Sequence, residues 1–328
     1  MQDVKPLVRV KGLRKYFHSQ QGWFNKTPPV KAVDGVSFDI YPGETYGLVG
    51  ESGCGKSTLG RSVLRLFDIT DGELEFAGQD IAHMHDKQLK PLRRRMQAIF
   101  QDPYSSLNPG MTVAQLIAEP MKIHGYSKEL RAERTLELLE KVGLKHEHLN
   151  RFPHEFSGGQ RQRISIARAL SVNPEFVLCD EPLSALDVSV QAQVVNILQD
   201  LQQAFGLTYL FIAHDLSMVR HISDRIGVMY LGSLVEEAPA ETLYTEPAHP
   251  YTRALLASIP VADPHVQMLE QGGIKGELPG AMSDWPGCKF CNRCPRAIEK
   301  CQIQAPVMQE ISPGHRVACW LFEKQKSS

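Results

Sequence analysis

The chain has 328 residues, which is long for one ordinary domain and sufficient for one large domain with an appendage. Its 36 Lys and Arg residues balance 37 Asp and Glu residues, so the net charge is −1 and the basic excess typical of nucleic-acid-binding proteins is missing. No apolar run reaches the roughly 18 residues that a membrane-spanning helix needs. The N-terminus carries charges and lacks an apolar core, so we expect no signal peptide, a cytoplasmic location and reduced thiols.

The first predicted elements form a strand, a glycine-rich loop and a helix. Val33–Ile40 alternate as a half-buried strand does, and Thr45–Val49 read as a short buried strand. Helical spacing follows over Thr58–Phe67. The loop between them has the P-loop pattern G-x-x-x-x-G-K-[ST], in which backbone N–H groups and the positive end of the helix dipole face phosphate. The residues predicted to bind nucleotide phosphates here are Gly50, Glu51, Ser52, Gly53, Cys54, Gly55, Lys56, Ser57 and Thr58.

Within this loop two side chains have specific predicted roles. Lys56 supplies a point charge for the β and γ phosphates of ATP, and Ser57 offers its hydroxyl to Mg²⁺. A chance match to the pattern is a poor explanation, because a strand precedes the loop and a helix follows it.

The middle of the chain predicts a helical insert in an α/β sheet. Val113–Gly143 and Gly158–Leu170 have helical periodicity, so the insert is expected between about residues 105 and 170. Phe176–Cys179 and Thr208–Ala213 then read as buried strands. Strands that alternate with helices predict a parallel α/β sheet.

An acidic pair follows the first of those two strands. A carboxylate at the carboxyl end of a parallel strand faces the ligand crevice. Asp180 is therefore predicted to hold Mg²⁺ through water, and Glu181 to act as general base toward the attacking water. Adjacent acids are also common on surfaces, so the interpretation depends on the apolar strand and the upstream P-loop.

A second predicted anion site lies at the start of a helix. Its glycines and serine expose backbone N–H groups where the helix begins. An ordinary helix cap with glycines is the alternative interpretation of this segment. The residues of this segment are Ser157, Gly158, Gly159 and Gln160.

Six motifs in order resemble those of ABC ATPases. Gln101 lies in Phe-Gln-Asp-Pro, Ser-Ala-Leu-Asp follows the acidic pair at 184–187, and His214 ends a later strand. With the P-loop, the segment 157–160 and Asp180, they resemble the Walker A, Q-loop, signature, Walker B, D-loop and switch-histidine motifs. The resemblance covers residues 5–260 and implies a P-loop NTPase ABC cassette with a helical subdomain.

That resemblance implies a mechanism. Two cassettes pair head to tail, and ATP on Lys56 of one is closed over by Ser157–Gln160 of the other. Gln101 senses Mg²⁺ and the membrane subunits, so that Mg²⁺ is shared by Ser57, Gln101 and Asp180, while His214 contacts the γ phosphate. An aromatic residue before the first strand stacks on adenine. Family spacing favours Phe17, with Tyr16 as the alternative.

Longer stretches are similar to the oligopeptide and dipeptide permease ATPases, within them the OppF/DppF type. They cover residues 100–109, 186–193 and 248–256. The resemblance implies a subunit that binds and hydrolyses ATP to energise peptide import, peripheral on the cytoplasmic face of the cell membrane. The implied partners are two transmembrane permease subunits, a paralogous ATPase of the OppD/DppD type and, indirectly, an extracytoplasmic solute-binding protein, with no nucleic acid. Homodimer and heterodimer stay open, as do peptide length and a non-peptide solute such as nickel or a sugar.

Two other function classes compete with an importer. A soluble ABC-type ATPase acting on nucleic acid or the ribosome usually has coiled-coil arms or two cassettes, whereas this chain has one P-loop and no sustained heptads. An exporter cassette is often fused to membrane spans, which this sequence lacks.

Five cysteines cluster near the C-terminus, in the spacing Cys288-x2-Cys291-x2-Cys294-x6-Cys301-x17-Cys319. We expect a cassette over residues 1–260 and an extension with a small Cys-rich module over 261–328. Reduced thiols at this density predict a structural metal centre, either a [4Fe–4S] cluster or a Zn²⁺ site. The resemblance maps the cluster ligands onto Cys288, Cys294, Cys301 and Cys319, with Cys291 extra to the pattern.

Overall fold

The computed structural model describes residues 5–18, 28–258 and 285–323. The predicted boundary between residues 260 and 261 lies outside these ranges. The strands are β1 Val8–Phe17, β2 Val30–Ile40, β3 Thr45–Val49, β4 Asp71–Phe76, β5 Gln79–Asp80, β6 Met96–Ile99, β7 Phe176–Asp180, β8 Thr208–Ile212, β9 Arg225–Tyr230, β10 Ser233–Pro239, β11 Gln309–Ser312 and β12 His315–Val317. The helices are α1 Lys56–Val63, α2 Asp86–Arg93, α3 Pro103–Ser106, α4 Val113–Ile123, α5 Lys128–Lys141, α6 Gly158–Leu170, α7 Val188–Phe205, α8 Leu216–Ile222, α9 Ala240–Thr245, α10 Pro250–Ala257 and α11 Glu299–Ile303.

The chain divides into two compact units. The first consists of Ile40–Thr45 and Phe76–Ala213, with the N-terminal segment that ends at Val8. The second consists of Arg9–Asp39, Tyr46–Glu75 and the chain from His214 onward.

In the first unit, β6, β7 and β8 are parallel, with β7 in the middle. Ile99 lies opposite Cys179, and Asp180 lies opposite Ile212. β7 and β8 are buried along their whole length, which explains their continuous apolar runs. Helices α4, α5 and α6 pack on one another and fall in the region where the sequence predicts a helical insert.

In the second unit, β3 is parallel to β9, and β10, β12 and β11 continue the same sheet in antiparallel order. The C-terminal strands β12 and β11 thus extend the sheet at β10, where Glu236 lies opposite Val317. In a second sheet, β1 lies between β2 and β4. Backbone pairing therefore joins the cysteine-rich tail, residues 285–323 as described, to the rest of this unit.

Most predicted elements are confirmed with small differences at their ends, and two predicted helices differ more. The predicted helix over Thr58–Phe67 ends at Val63, because Arg65 has a φ of 54° and the left-handed region stops a helix. The helical stretch Val113–Gly143 is two helices, since Gly125 turns the chain with a φ of 79° before Ser127 caps α5. Among the described residues, no helix is long and apolar enough to cross a membrane.

Candidate functional site

The P-loop in the second unit requires glycine at two backbone positions. Gly50 has a φ of 153°, and a Cβ there would lie 2.2 Å from the carbonyl oxygen of Met229. Gly55 has a φ of 107°, and its Cβ would lie 2.0 Å from the carbonyl oxygen of Ala32. Both positions combine a left-handed backbone with contact to another strand, so side chains are excluded. The predicted glycine spacing therefore has a tertiary reason as well as a phosphate-binding one.

Lys56 begins helix α1 directly after this loop and is buried. Its Nζ donates hydrogen bonds to the carbonyl oxygens of Gly50 (2.8 Å) and Glu51 (3.1 Å). Gly55 has no side chain to cap the helix, so the first-turn N–H groups face the loop without side-chain competition. Ser57 is half-buried one residue later. This arrangement can bind a polyphosphate with its Mg²⁺.

The loop residues between these points differ in exposure. Ser52 and Gly53 are exposed, and Thr58 is half-buried in the first turn of α1. Burial raises the pKa of the Cys54 thiol, although Lys56 opposes the shift, so this thiol stays neutral and packs in the core. The Cys54 carbonyl accepts a hydrogen bond from the Gly232 N–H at 2.8 Å.

The two candidate adenine-stacking residues have different surroundings. The Tyr16 hydroxyl donates a 2.6 Å hydrogen bond to Asp34 Oδ1. Phe17 is 38% exposed and meets the ring of Phe67 edge-on at 5.8 Å between centroids. Lys15 Nζ lies 4.9 Å from the Phe17 centroid. Phe17 therefore has the more accessible ring, which favours it for stacking.

In the first unit, Gln101 and the acidic pair follow adjacent parallel strands. β6 and β7 are in register, so their carboxyl ends reach the same edge of the sheet. Asp180 is buried there, while Gln101 is exposed. Glu181 has a φ of 50°, a conformation that costs a non-glycine residue energy, and its N–H donates to the Ile212 carbonyl at 3.0 Å. Such backbone strain clusters at functional sites.

The segment Ser157–Gln160 caps helix α6. The Ser157 N–H donates to Gln160 Oε1 at 3.1 Å, and the Gln160 N–H approaches Ser157 Oγ at 3.4 Å. A Cβ at Gly159 would lie 2.4 Å from Val190 Cγ1, so glycine is required for the close approach of α7. Ser157 itself is exposed. The structure therefore shows the segment as a helix cap, and its role as an anion site stays a prediction.

Two arginines on α6 connect it to the segment after Gln101, which sequence reasoning missed. The Arg161 guanidinium lies 3.8 Å from the ring centroid of Tyr104. Arg168 donates to the carbonyl of Ser106. Helical spacing could show that these arginines lie on α6, but not that α3 packs against it.

His214 lies in the second unit and is exposed. It precedes α8, whose N-cap Asp215 accepts a 2.8 Å hydrogen bond from the Ser217 N–H. The cap holds the backbone on the C-terminal side of His214 and leaves its ring at the surface.

The predicted metal centre is not supported by the arrangement of the tail. Among the described ranges, which include all five clustered cysteines, no group of three His, Cys, Asp or Glu side chains is placed to hold a metal ion. Burial, together with the neighbouring Cys301, Cys319 and Cys294, raises the pKa of Cys288 to about 12. The described residues therefore give no geometric support for a metal ion at these cysteines.

Two family models match the chain. The model described as ABC transporter matches residues 33–184. The model described as oligopeptide/dipeptide transporter, C-terminal region, matches residues 235–301.

Solved structures give the fold. The dimeric structure of a post-hydrolysis state of the ATP-binding cassette MJ0796, bound to ADP and Pi, matches with a TM-score of 0.63 and 29% identity, over 71% of this chain and 98% of that one. The structure of cbiO1 from Clostridium perfringens shares 23% identity with a TM-score of 0.65, over 74% of this chain and 91% of that one, and shows the fold alone. Both confirm the predicted α/β cassette.

Relatives of nearly the same length give the family. The oligopeptide transport ATP-binding protein AppF of Bacillus subtilis (strain 168) is 51% identical over 324 residues, which covers 98% of each chain. The oligopeptide transport ATP-binding protein OppF of the same organism is 61% identical over 264 residues, which covers 80% of this chain and 85% of OppF. This chain therefore belongs to the ABC transporter family, among its oligopeptide transport ATP-binding proteins.

Proposed function

We propose that this chain binds and hydrolyses ATP to energise the import of peptides through an ABC permease. The observation that carries the proposal is the P-loop, whose backbone admits only glycine at residues 50 and 55 and which presents Lys56 at a helix start. Relatives that match this chain over most of its length are named for oligopeptide transport. These names support peptides as the cargo.

The residue roles in the proposal combine motif and local geometry. Lys56 binds the β and γ phosphates, Ser57 ligates Mg²⁺, and Asp180 holds the ion through water. Gln101, at the sheet edge beside the acidic pair, completes the Mg²⁺ shell, and Glu181 accepts a proton from the attacking water. The remaining phosphate contacts come from Gly50 to Thr58, with His214 on the γ phosphate and Phe17 on adenine.

A complete site in the proposal needs two cassettes. Ser157, Gly158, Gly159 and Gln160 of one chain close over the ATP of the other, using the α6 amides. We propose a paralogous ATPase as the second cassette, two membrane permeases as the coupled subunits, and a position on the cytoplasmic face of the membrane. An extracytoplasmic solute-binding protein selects the cargo. The proposed domain division is a cassette over residues 1–260, with its helical subdomain at about 105–170, and an extension over 261–328.

Metal binding by the tail is the part of the proposal that depends most on the sequence. It is supported by the cysteine spacing alone. Iron, acid-labile sulfide and zinc analysis of anaerobically purified protein tests it. Stoichiometric iron and sulfide indicate a [4Fe–4S] cluster, stoichiometric zinc a Zn²⁺ site, and the absence of all three refutes a metal centre.

The central test is transport by the assembled complex in proteoliposomes, with labelled peptides, nickel and sugars offered in parallel. We expect ATP-dependent uptake of peptides, abolished by Lys56→Ala because phosphate charge is then uncompensated in the loop. Lys87→Ala removes an exposed lysine on α2 and serves as the matched control. ATP hydrolysis at the wild-type rate by Lys56→Ala contradicts the P-loop role. Uptake of nickel or sugar without uptake of peptides contradicts the proposal that peptides are the cargo. Stimulation by nucleic acid or ribosomes instead of permeases refutes the importer.

A further inference from the structure

The cysteine-rich tail contacts the P-loop directly. Arg293, in the short 3-10 helix Cys291–Arg293, donates to the Glu51 carboxylate at 3.0 Å. The Arg293 side chain is only 8% exposed and that of Glu51 is 19% exposed. Arg293 also donates to the Tyr230 hydroxyl at 3.3 Å. An ion pair so shielded from water is stronger than a surface pair and costly to break on one side.

Glu51 is held a second time through its backbone. Its N–H donates to the Tyr251 hydroxyl at 2.9 Å. The rings of Tyr230 and Tyr251 pack against Phe290 of the tail, with centroids 5.2 Å and 5.3 Å away. Phe290 is 1% exposed, so it is a buried anchor for the segment that presents Arg293.

Lys289 makes the third contact, with Asp34 of β2 and with the hairpin formed by β9 and β10. Its Nζ donates to Asp34 Oδ2 (3.0 Å), the Leu231 carbonyl (2.9 Å) and Ser233 Oγ (2.8 Å). Gly232, which follows Leu231 in this hairpin, donates its N–H to the carbonyl of Cys54 in the P-loop. Asp34 also accepts the Tyr16 hydroxyl. Lys289, Phe290 and Arg293, which we call the tail clamp, thus contact Glu51 of the loop and the residues beside the loop.

We propose that the tail clamp sets the nucleotide affinity of this cassette, with Arg293 as a positioning residue that neutralises Glu51. This inference rests on the proposed nucleotide site. Glu51 is the second residue of the phosphate-binding loop, and an unpaired carboxylate there repels the phosphates of ATP. Arg293 removes that repulsion and fixes the direction of the carboxylate. The tail is then a component of the ATP site rather than an inert appendage.

The pairing predicts a specific pattern of rescue. Arg293→Gln leaves the Glu51 charge uncompensated, whereas Glu51→Gln removes that charge at its source. If Arg293 acts through Glu51, the double variant recovers most of the affinity that Arg293→Gln loses. If Arg293 only stabilises the tail, removing the Glu51 charge restores nothing, so the double-mutant cycle separates the two roles.

The experiment measures binding of a fluorescent ATP analogue with Mg²⁺ to the full chain, with thermal unfolding recorded for each variant. We expect Arg293→Gln to weaken binding about tenfold and the double variant to return within about threefold of the wild type. Arg296→Ala removes an exposed arginine three residues further along the tail and is expected to bind normally. In the assembled transporter, Arg293→Gln raises KM for ATP with little change in kcat, because it removes uniform binding.

The outcomes separate this inference from the proposed function. A wild-type chain that binds no nucleotide refutes both. A wild-type chain that binds, together with unchanged affinity in Arg293→Gln, refutes the clamp alone. Weaker binding that Glu51→Gln does not restore also refutes the charge role of Arg293. If Arg293→Gln unfolds, Arg293→Lys keeps the charge and is expected to bind nearly as the wild type, and a tenfold loss there overturns the proposal.

Discussion

At the scale of single residues, the acidic pair shows how position divides two similar groups. Asp180 is the last residue of β7 and is buried like the rest of that strand. Glu181, the next residue, has a left-handed backbone. Neighbouring side chains in an extended strand point to opposite faces of the sheet. The left-handed backbone at Glu181 ends that alternation, so its carboxylate takes a different direction. Adjacent acids can therefore serve a metal ion and a water molecule separately.

We expect Glu181→Gln to bind ATP and to hydrolyse it about 10²- to 10⁴-fold more slowly, because the amide is isosteric and cannot accept a proton from water. ATPase rates and retention of ATP by the assembled complex measure this. Glu73→Gln, at an exposed glutamate, is the control. Turnover retained in Glu181→Gln, with complete loss in His214→Ala, assigns the base elsewhere.

At the scale of elements, Glu236 joins three pieces of the second unit. This fully buried residue of β10 accepts hydrogen bonds from the N–H groups of Ala248 (2.7 Å) and His249 (2.8 Å). Its carboxylate also bonds His315 Nε2 of β12 at 2.8 Å. One carboxylate thus fixes the start of α10 and the tail strand to the same sheet.

We expect Glu236→Ala to destabilise the protein by about 3–5 kcal/mol, because buried partners lose their acceptor. The midpoint of urea unfolding measures the effect. Glu241→Ala breaks an exposed ion pair with Arg220 and is expected to cost at most about 1 kcal/mol. Equal midpoints for the two variants contradict the joining role.

The N-cap of α10 gives this unit a pH dependence. His249 Nδ1 accepts the Tyr251 N–H at 3.0 Å, which requires a neutral ring. Burial lowers the pKa of His249 to about 4, although the Glu236 carboxylate opposes the shift. The unfolded chain binds a proton near the ordinary pKa of about 6.5, so stability falls as the pH decreases from about 6.5 to about 4.

The slope of that loss approaches about 1.4 kcal/mol per pH unit in this window. His249→Asn keeps a side-chain acceptor at the cap and removes the titration. We therefore expect the unfolding free energy of the wild type to fall more than that of the variant when the pH is lowered from 7 to 5. A difference that stays constant with pH contradicts the assignment.

At the scale of the whole molecule, each chain carries one P-loop and one signature segment. If the signature serves the ATP of another cassette, the isolated chain hydrolyses ATP weakly, and its rate rises with protein concentration or on adding the paralogous ATPase and the permeases. ATPase assays over a dilution series, with the oligomeric state followed by light scattering, measure this. Full activity in a strictly monomeric preparation contradicts the paired site.

The sequence by itself determined the parts of the protein that are local. A P-loop binds phosphate with consecutive backbone amides, so glycine spacing, Lys56 and the following helix could be recognised without a structure. The same holds for α6, whose capping residues and apolar period predict its bounds Gly158–Leu170. The end of α1 at Val63 could not be predicted, because the left-handed turn at Arg65 breaks no pattern of apolar residues.

Only the tertiary structure decided which distant residues meet. Arg293 and Glu51 are 242 positions apart, and Glu236 and His315 are 79 apart. Sequence patterns report which face of an element is apolar, but the pairing of elements depends on sheet register and on packing summed over the whole core. For the same reason the cysteine spacing could predict a metal centre but not the contact that Arg293 of the folded tail makes with Glu51 of the P-loop.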